Sequence, residues 1–325
     1  MKFVYKDSPY GYSILNKNDI EAVHQATLNL MEDYGVCVFG NESQELLSGA
    51  GCKVDKETSR VKFPRNLVND CITSVPTQFT VYGRDPEDRS KDIIFGGDHV
   101  TFTTFGTGVI VIDPYTGERK DSTLQDLCDI TRFADAVPEV ESVTTPVAAQ
   151  DVSEEIKELY EAEAMLTNTS KPIGHDTEGA ENTRRFVDMV AAVVGGKDKL
   201  RERPITTMGA CPNSPLEIHE SAAEQIIECA RAGLPIDVLS MGMCGGSTPV
   251  TLAGTLLVTN CEILAGIVLG QVTCKGAPMS YGSSTTIMDM KLATSPVGAP
   301  EHAMFGAAVA QLAKYYAIPV NVGGT

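Results

Sequence analysis

The residues best placed to do chemistry are few. His175-Asp176, directly after Gly174, is the strongest titratable pair. A histidine there can exchange a proton near neutral pH. A His-Asp step opening a loop can equally cap the next helix. A second group is Tyr281, Ser283 and Asp289. An aromatic face with a carboxylate nearby suits a cation such as a methylated ammonium. Tyr281 could instead be packed in a core. Glu262 stands beside Asn260 in an apolar run, and a buried carboxylate must be paired. Substrate binding and a structural hydrogen bond are both open to it. The segment Gly242-x-x-Gly245-Gly246-Ser247-Thr248-Pro249 leads into a helix, whose first N–H groups could hold an anion. It is also ordinary chemistry for a strand-to-helix loop.

Other chemistries are not supported. Only one histidine falls at the expected strand ends, so no metal centre is expected. There is no C-x-x-C pair, Gly-x-Ser-x-Gly elbow, Walker loop or His-Glu-x-x-His. The net charge of −17 argues against a nucleic-acid partner, which would require a basic face. Nine scattered cysteines suit a reducing cytoplasm. The start, Met1-Lys2-Phe3-Val4-Tyr5-Lys6-Asp7, has no apolar core of a secretion signal. The longest apolar run, Pro249 to Leu269, contains Asn260 and Glu262 and reads as a buried helix, so no membrane span is expected.

These residues need a scaffold, and the rhythm of the chain supplies one. Residues 1–138 read as an α+β extension. It has a helix capped by Asn18 or Asp19, a strand over Val36–Phe39, a short helix near Glu42–Leu47 and a hairpin through Cys52–Val54 and Val61–Phe63. Further strands are expected at Asp92–Phe95, Thr101–Phe105 and Val109–Ile112, then a helix opened by a Ser122/Gln125 capping box. From 139 to 325, β-rich runs begin near Val143, Pro172, Ile205, Ile236, Pro278 and Ile318, at spacings of 29, 33, 31, 42 and 40 residues. Helical patterns follow at Glu154–Leu166, Glu178–Val194, Leu216–Ala232, Pro249–Gly270 and Pro300–Tyr316. A (β/α)8 barrel averages about 31 residues per unit. The expected fold is therefore α/β, a TIM-type barrel. About six units are present and two are missing after Thr325. An open doubly wound sheet is the rival, but no Gly-rich phosphate turn follows Val143 or Pro172. In such a barrel the site lies at the strands' C-terminal ends. Those ends hold Gln150 and Asp151, His175 and Asp176, Cys211 and Asn213, Gly245–Thr248, Ser283 and Ser284, and Gly323–Thr325.

The composite of these segments resembles a known family. Met241-Gly-Met-Cys-Gly-Gly-Ser-Thr-Pro-Val-Thr-Leu-Ala-Gly-Thr-Leu, Asn260-x-Glu262-x-Leu264-Ala-Gly, Gly276-Ala-Pro-x-x-Tyr281-Gly-Ser, Pro296-x-Gly-Ala-Pro-Glu301 and Gly323-Gly324 look like the trimethylamine:corrinoid methyltransferases. The resemblance spans the chain and is strongest from 205 to 325. It implies a barrel with an N-terminal extension and methyl transfer from a methylamine to cobalt, in methylamine catabolism or methanogenesis. The corrinoid would ride on a separate cognate protein, so no cofactor is expected on this chain. It also implies symmetric homo-oligomers. Trimethylamine-using members carry pyrrolysine, from an in-frame amber codon, shortly after a Gly-Gly motif. The sequence stops one residue past Gly324. The expectation is therefore a member cut at that codon, inactive as it stands, with the catalytic pyrrolysine after Thr325. A truncated betaine-type member lacking pyrrolysine, or a fragment that only binds the corrinoid protein, are the alternatives.

Overall fold

A computed structural model describes residues 13–323. The expectations placed on Met1–Asp7, Gly324 and Thr325 lie outside the described residues. In chain order the first elements are α1 (Lys17–Asp33), β1 (Val36–Val38), α2 (Asn41–Gly49), β2 (Lys53–Asp55), β3 (Arg60–Lys62), α3 (Arg65–Ser74) and β4 (Gln78–Val81). A 3-10 turn at Arg89–Lys91 leads to β5 (Ile93–Gly96), β6 (Ile110–Ile112), β7 (Arg119–Asp121) and α4 (Leu124–Ala136). Then come β8 (Val143–Thr144), α5 (Lys157–Asn168), β9 (Ile173–His175), α6 (Gly179–Val194), α7 (Lys197–Glu202) and β10 (Thr206–Ala210). The last are β11 (Glu217–Ile218), α8 (Glu220–Ala232), β12 (Ile236–Ser240), β13 (Met243–Cys244), α9 (Leu252–Thr273), β14 (Met279–Ser283), β15 (Thr286–Ile287), α10 (Pro300–Tyr316) and β16 (Val320–Val322).

The chain forms two compact units. One comprises residues up to Gln78, Ala210–Arg231 and Ile236 onward; the other comprises Phe79–Gly209 and Ala232–Pro235. A boundary at 138/139 was the expectation; the first unit instead gathers the early residues with the late ones.

In the first unit, β12, β14 and β16 run parallel. Ile236 is opposite Met279, Tyr281 opposite Val320 and Gly282 opposite Asn321. Parallel neighbours require crossovers, and α9 and α10 provide them. One face of this sheet is covered by α9. Gly266 makes room there, since a Cβ on it would stand 2.7 Å from Val238. The opposite side of α9 meets α1, α2 and α3. A helix covered on these sides needs no polar face, which explains why its apolar residues are spread all round it and most of its few polar ones are buried too. Among the described residues α9 is the one helix long and apolar enough to cross a membrane, and most of it is buried in the unit. The early segment is fastened by β1, which pairs parallel with β11 and antiparallel with β3. That pairing explains why α8 starts at Glu220 and not near Leu216: residues 217 and 218 are recruited as a strand.

In the second unit, β8, β9 and β10 run parallel, with Val143 and Thr206 both opposite Ile173. β6 and β7 form a separate antiparallel ribbon. Thr101–Phe105 is not a strand; Thr103 makes only an isolated bridge to Ser142.

Helix starts differ from expectation by small register shifts with clear causes. α1 is capped by Asn16, whose side chain accepts from Asn18 N and Asp19 N, while Asp19 accepts from Asn16 N. α4 is capped by Thr123 with Asp126 three residues on, because the Ser122 hydroxyl donates to Ala148 O instead. α9 is capped by Thr251, two residues past Pro249.

Candidate active site

Strand alternation sorts the residues of the first unit onto two faces. On β12, β14 and β16 the face turned to the helices carries Val238, Ser240, Tyr281 and Ser283. The other face carries Asp237, Leu239, Ser280, Gly282 and Asn321; Ser284 and Gly323 follow directly after β14 and β16, with Ser284 N donating to Ser240 O and Gly323 N to Ser283 O.

Tyr281 lies on the helix side and is fully buried. Its hydroxyl donates to Asn260 Oδ1 at 2.6 Å, and its ring packs 6.0 Å from that of Tyr316. Asn260 Nδ2 in turn donates to Thr27 Oγ1 (2.8 Å) and Tyr316 Oη (3.0 Å). This closed network ties α1, α9, α10 and β14 together. Burial pushes the Tyr281 phenol well above its usual range. Ser283 donates to Thr285 Oγ1 at 2.8 Å. Asp289 shapes a turn, accepting from the N–H groups of Lys291 (2.9 Å) and Leu292 (3.0 Å). Tyr281, Ser283 and Asp289 therefore do not form one lining. Period-2 geometry turns the first two toward the helices, and the third spends its carboxylate on its own loop.

Glu262 is a structural anchor in this geometry. It accepts from Ser214 Oγ (2.9 Å), Leu216 N (2.8 Å) and Ser240 Oγ (2.6 Å). Burial raises its pKa above the usual carboxylate range. The Gly242–Pro249 loop does not present its N–H groups to an anion. Gly245 donates to Thr248 O, while Gly246, Ser247 and Thr248 all donate to Met243 O. β13 and β15 then pair parallel and fix this loop against residues 286 and 287.

His175 belongs to the second unit. Both ring nitrogens are used, Nδ1 with Thr145 Oγ1 and Nε2 with Glu158 O, each at 2.9 Å. Burial lowers its pKa to about 4, so the ring is neutral at pH 7. Asp176 accepts from Gly209 N at 2.9 Å rather than orienting the imidazole. The Asp151 carboxylate accepts from Leu124 N, at the start of α4.

The inner face of the first unit holds what the sequence reading passed over. Asp237 is 8% exposed on β12. Ser280 Oγ donates to its Oδ1 at 2.6 Å and Asn321 Nδ2 to its Oδ2 at 2.7 Å. Burial raises its pKa, and the two hydrogen bonds lower it. Both donors are neutral, so the carboxylate has hydrogen-bond partners without a charge partner among them. Beside it, Gly282 lets the backbone of β14 pack tightly: a Cβ there would stand 2.7 Å from Asp237 Oδ1. Just past the strands' C-terminal ends, Gly323 packs against His302 and Ser284. A Cβ there would stand 3.0 Å from His302 Nε2 and 3.3 Å from Ser284 Oγ. A lone aspartate in the apolar run Ile236-Asp-Val-Leu-Ser was the available sequence signal for Asp237. Among the described residues no group of three or more His, Cys, Asp or Glu could hold a metal ion.

Residues 2–325 match the family model described as trimethylamine methyltransferase (MTTB). Trimethylamine methyltransferase MttB of Desulfitobacterium hafniense is 47% identical over 315 residues, 97% of this chain and 63% of that protein. Trimethylamine methyltransferase MttB1 of Methanosarcina mazei is 39% identical, over 96% of this chain and 64% of its own length. The glycine betaine methyltransferase of Desulfitobacterium hafniense is 32% identical over similar shares. The chain thus spans a little under two thirds of the length of these relatives. Among solved structures, the monomethylamine methyltransferase (MtmB) of Methanosarcina barkeri superposes with a TM-score of 0.56 at 11% identity. It covers 93% of this chain and 66% of that one, a likeness of fold alone. From the family match along its length and these identities, the chain belongs to the trimethylamine methyltransferase family.

Proposed function

We propose that the inner-face cluster around Asp237 holds a methylated ammonium ion, and that the protein moves a methyl group from trimethylamine to the cobalt of a corrinoid carried by a separate protein. The carrying observation is the Asp237 carboxylate, buried with only neutral hydrogen-bond donors. A buried carboxyl without a counter-charge resists ionisation. A cation placed beside it reverses that balance, so binding and ionisation reinforce each other. The names of the trimethylamine relatives support the choice of substrate. Parallel strands followed by helices, with the cluster on one strand face, support a (β/α)8 barrel with its site inside the strand ring.

The partner's corrinoid is a co-substrate and supplies a nucleophilic cobalt. The work of this chain is to hold the amine by its charge and to fix its direction, which lowers the barrier through orientation and preorganised electrostatics. Ser280 and Asn321 hold the carboxylate in place, and Gly282 lets the neighbouring strand pack directly against it. Free cysteines throughout the described residues support a reducing compartment.

The test is calorimetric titration of the natively expressed protein with trimethylammonium chloride, alongside methyl transfer to a corrinoid protein from trimethylamine and from glycine betaine. The expected result is amine binding that weakens at least tenfold in Asp237→Asn, with turnover of trimethylamine. Undiminished binding in Asp237→Asn removes the cluster from the substrate site. Turnover of glycine betaine alone would assign the betaine activity instead.

A further inference from the structure

We infer that His302 is the residue that distinguishes a protonated tertiary amine from a quaternary one, by accepting a hydrogen bond from the substrate's single N–H. The inference rests on the amine site proposed above and adds its selectivity.

The tautomer of His302 is fixed by its surroundings. Nδ1 lies 3.0 Å from Thr285 O. A carbonyl oxygen can only accept, so the proton is on Nδ1. In the neutral ring Nε2 is then a bare lone pair. The residue is 2% exposed, and Nε2 has no hydrogen-bond partner among the described residues. A buried acceptor left without a donor is costly, and such exceptions are rare in native proteins.

The direction of that lone pair matters as much as its vacancy. Nε2 lies beside Gly323, 3.0 Å from where a Cβ would stand, so only a residue without a side chain fits next to it. Asn321 of β16 bonds Asp237, and Gly323, two residues on, continues the ladder past the strand by donating to Ser283 O. Ser284 continues the face of β14 that carries Ser280 and Gly282. The acceptor of His302 and the carboxylate of Asp237 therefore address the same face at successive levels of the strands. Two glycines, at 282 and 323, bring the backbone up against Asp237 Oδ1 and His302 Nε2.

A ligand for this face needs a positive charge for Asp237 and one donor for His302. A protonated tertiary amine has both. A quaternary ammonium has the charge and no N–H, so it would leave Nε2 unsatisfied. Sites built to receive a hydrogen bond reject analogues that lack the donor more strongly than they reject small changes of apolar size.

The experiment titrates the natively expressed protein with trimethylammonium and with tetramethylammonium at neutral pH. The wild type is expected to favour trimethylammonium. His302→Phe should weaken trimethylammonium by about 10- to 100-fold, the usual worth of a hydrogen bond to a charged group, and leave tetramethylammonium unchanged within about twofold. His302→Gln, whose amide oxygen can accept, should recover part of the loss. Nitrogen-15 resonances of the wild type give a readout that needs no variant. The Nε2 signal should begin as an unprotonated imidazole nitrogen and shift on adding trimethylammonium but not tetramethylammonium. Equal weakening of both ligands, no weakening of either, or an Nε2 signal that ignores trimethylammonium overturns the role of His302 alone. Binding of neither ligand by the wild type overturns the amine site, and this inference with it.

Discussion

Gly282 lies directly beside the carboxylate of Asp237: a single methyl group on it would stand 2.7 Å from Oδ1. That approach is closer than a carbon and an oxygen tolerate, so Gly282→Ala must displace the carboxylate or the strand. Leu239 backs the same position at 2.9 Å and blocks retreat. Overpacking of this kind costs about 1–3 kcal/mol. The expected outcome is a lowered melting temperature together with amine affinity reduced at least tenfold. A variant that melts lower but binds the amine normally would separate Gly282 from the site.

Glu262→Gln should lower stability and spare turnover per folded molecule. The carboxylate accepts three hydrogen bonds, and glutamine offers one oxygen and a donor in place of the second. At least one of Ser214, Leu216 and Ser240 would face an N–H. Loss of about 1–3 kcal/mol is expected from the misplaced partner, measured by urea unfolding. A fall in turnover without a fall in stability would place Glu262 in the chemistry.

Tyr281→Phe should behave the same way for a different reason. It removes the donor that satisfies Asn260 Oδ1 in the interior. The loss is expected to be about 1–2 kcal/mol, again with unchanged amine affinity. Affinity reduced with stability intact would bring Tyr281 back as a ligand-binding residue.

Two buried histidines set an acid limit on stability. Burial lowers both His24 and His175 from 6.5 to about 4. Their folded forms therefore bind protons less readily than the unfolded chain. Their contribution is fully present above pH 6.5 and is lost as the pH falls toward 4. Asp237 and Glu262 act in the opposite sense, since their raised values favour the fold below the ordinary carboxylate range and that contribution is lost as pH rises through the folded values. Melting temperatures across pH 4 to 8, for the wild type and Asp237→Asn, check both signs. The variant should gain more at pH 8 than at pH 4.

The strand-and-helix rhythm from Val143 onward was legible because each β-rich run is short and each following helix has its own periodicity. α10 was legible at its start, since Pro300 fits the first helical turn; in the structure it ends where Ala317 takes a left-handed conformation. α3 was not read, although Val68, Cys71 and Ile72 mark a buried helical face. The site was less legible than the scaffold. Tyr281 and Asp237 both lie on buried strands, and only strand register shows that one faces the helices and the other the inner face. His302 carries no signal in the sequence at all. Its meaning comes from Thr285 O fixing one nitrogen and from nothing described meeting the other. The early segment was read as a separate extension because a contact between residues some two hundred apart leaves no local pattern.

That contact has a cost in time. The apolar faces of α1 and α3 meet α9, and that of α1 also meets α10, all of it later in the chain; α9 ends at Thr273. At roughly 5–20 residues per second, a ribosome needs about 10–40 s to travel from the end of α3 to the end of α9. For that interval the newborn chain carries sticky surfaces with no native mate. Holding the beginning of the chain until its middle arrives is therefore expected to raise the yield of folded protein.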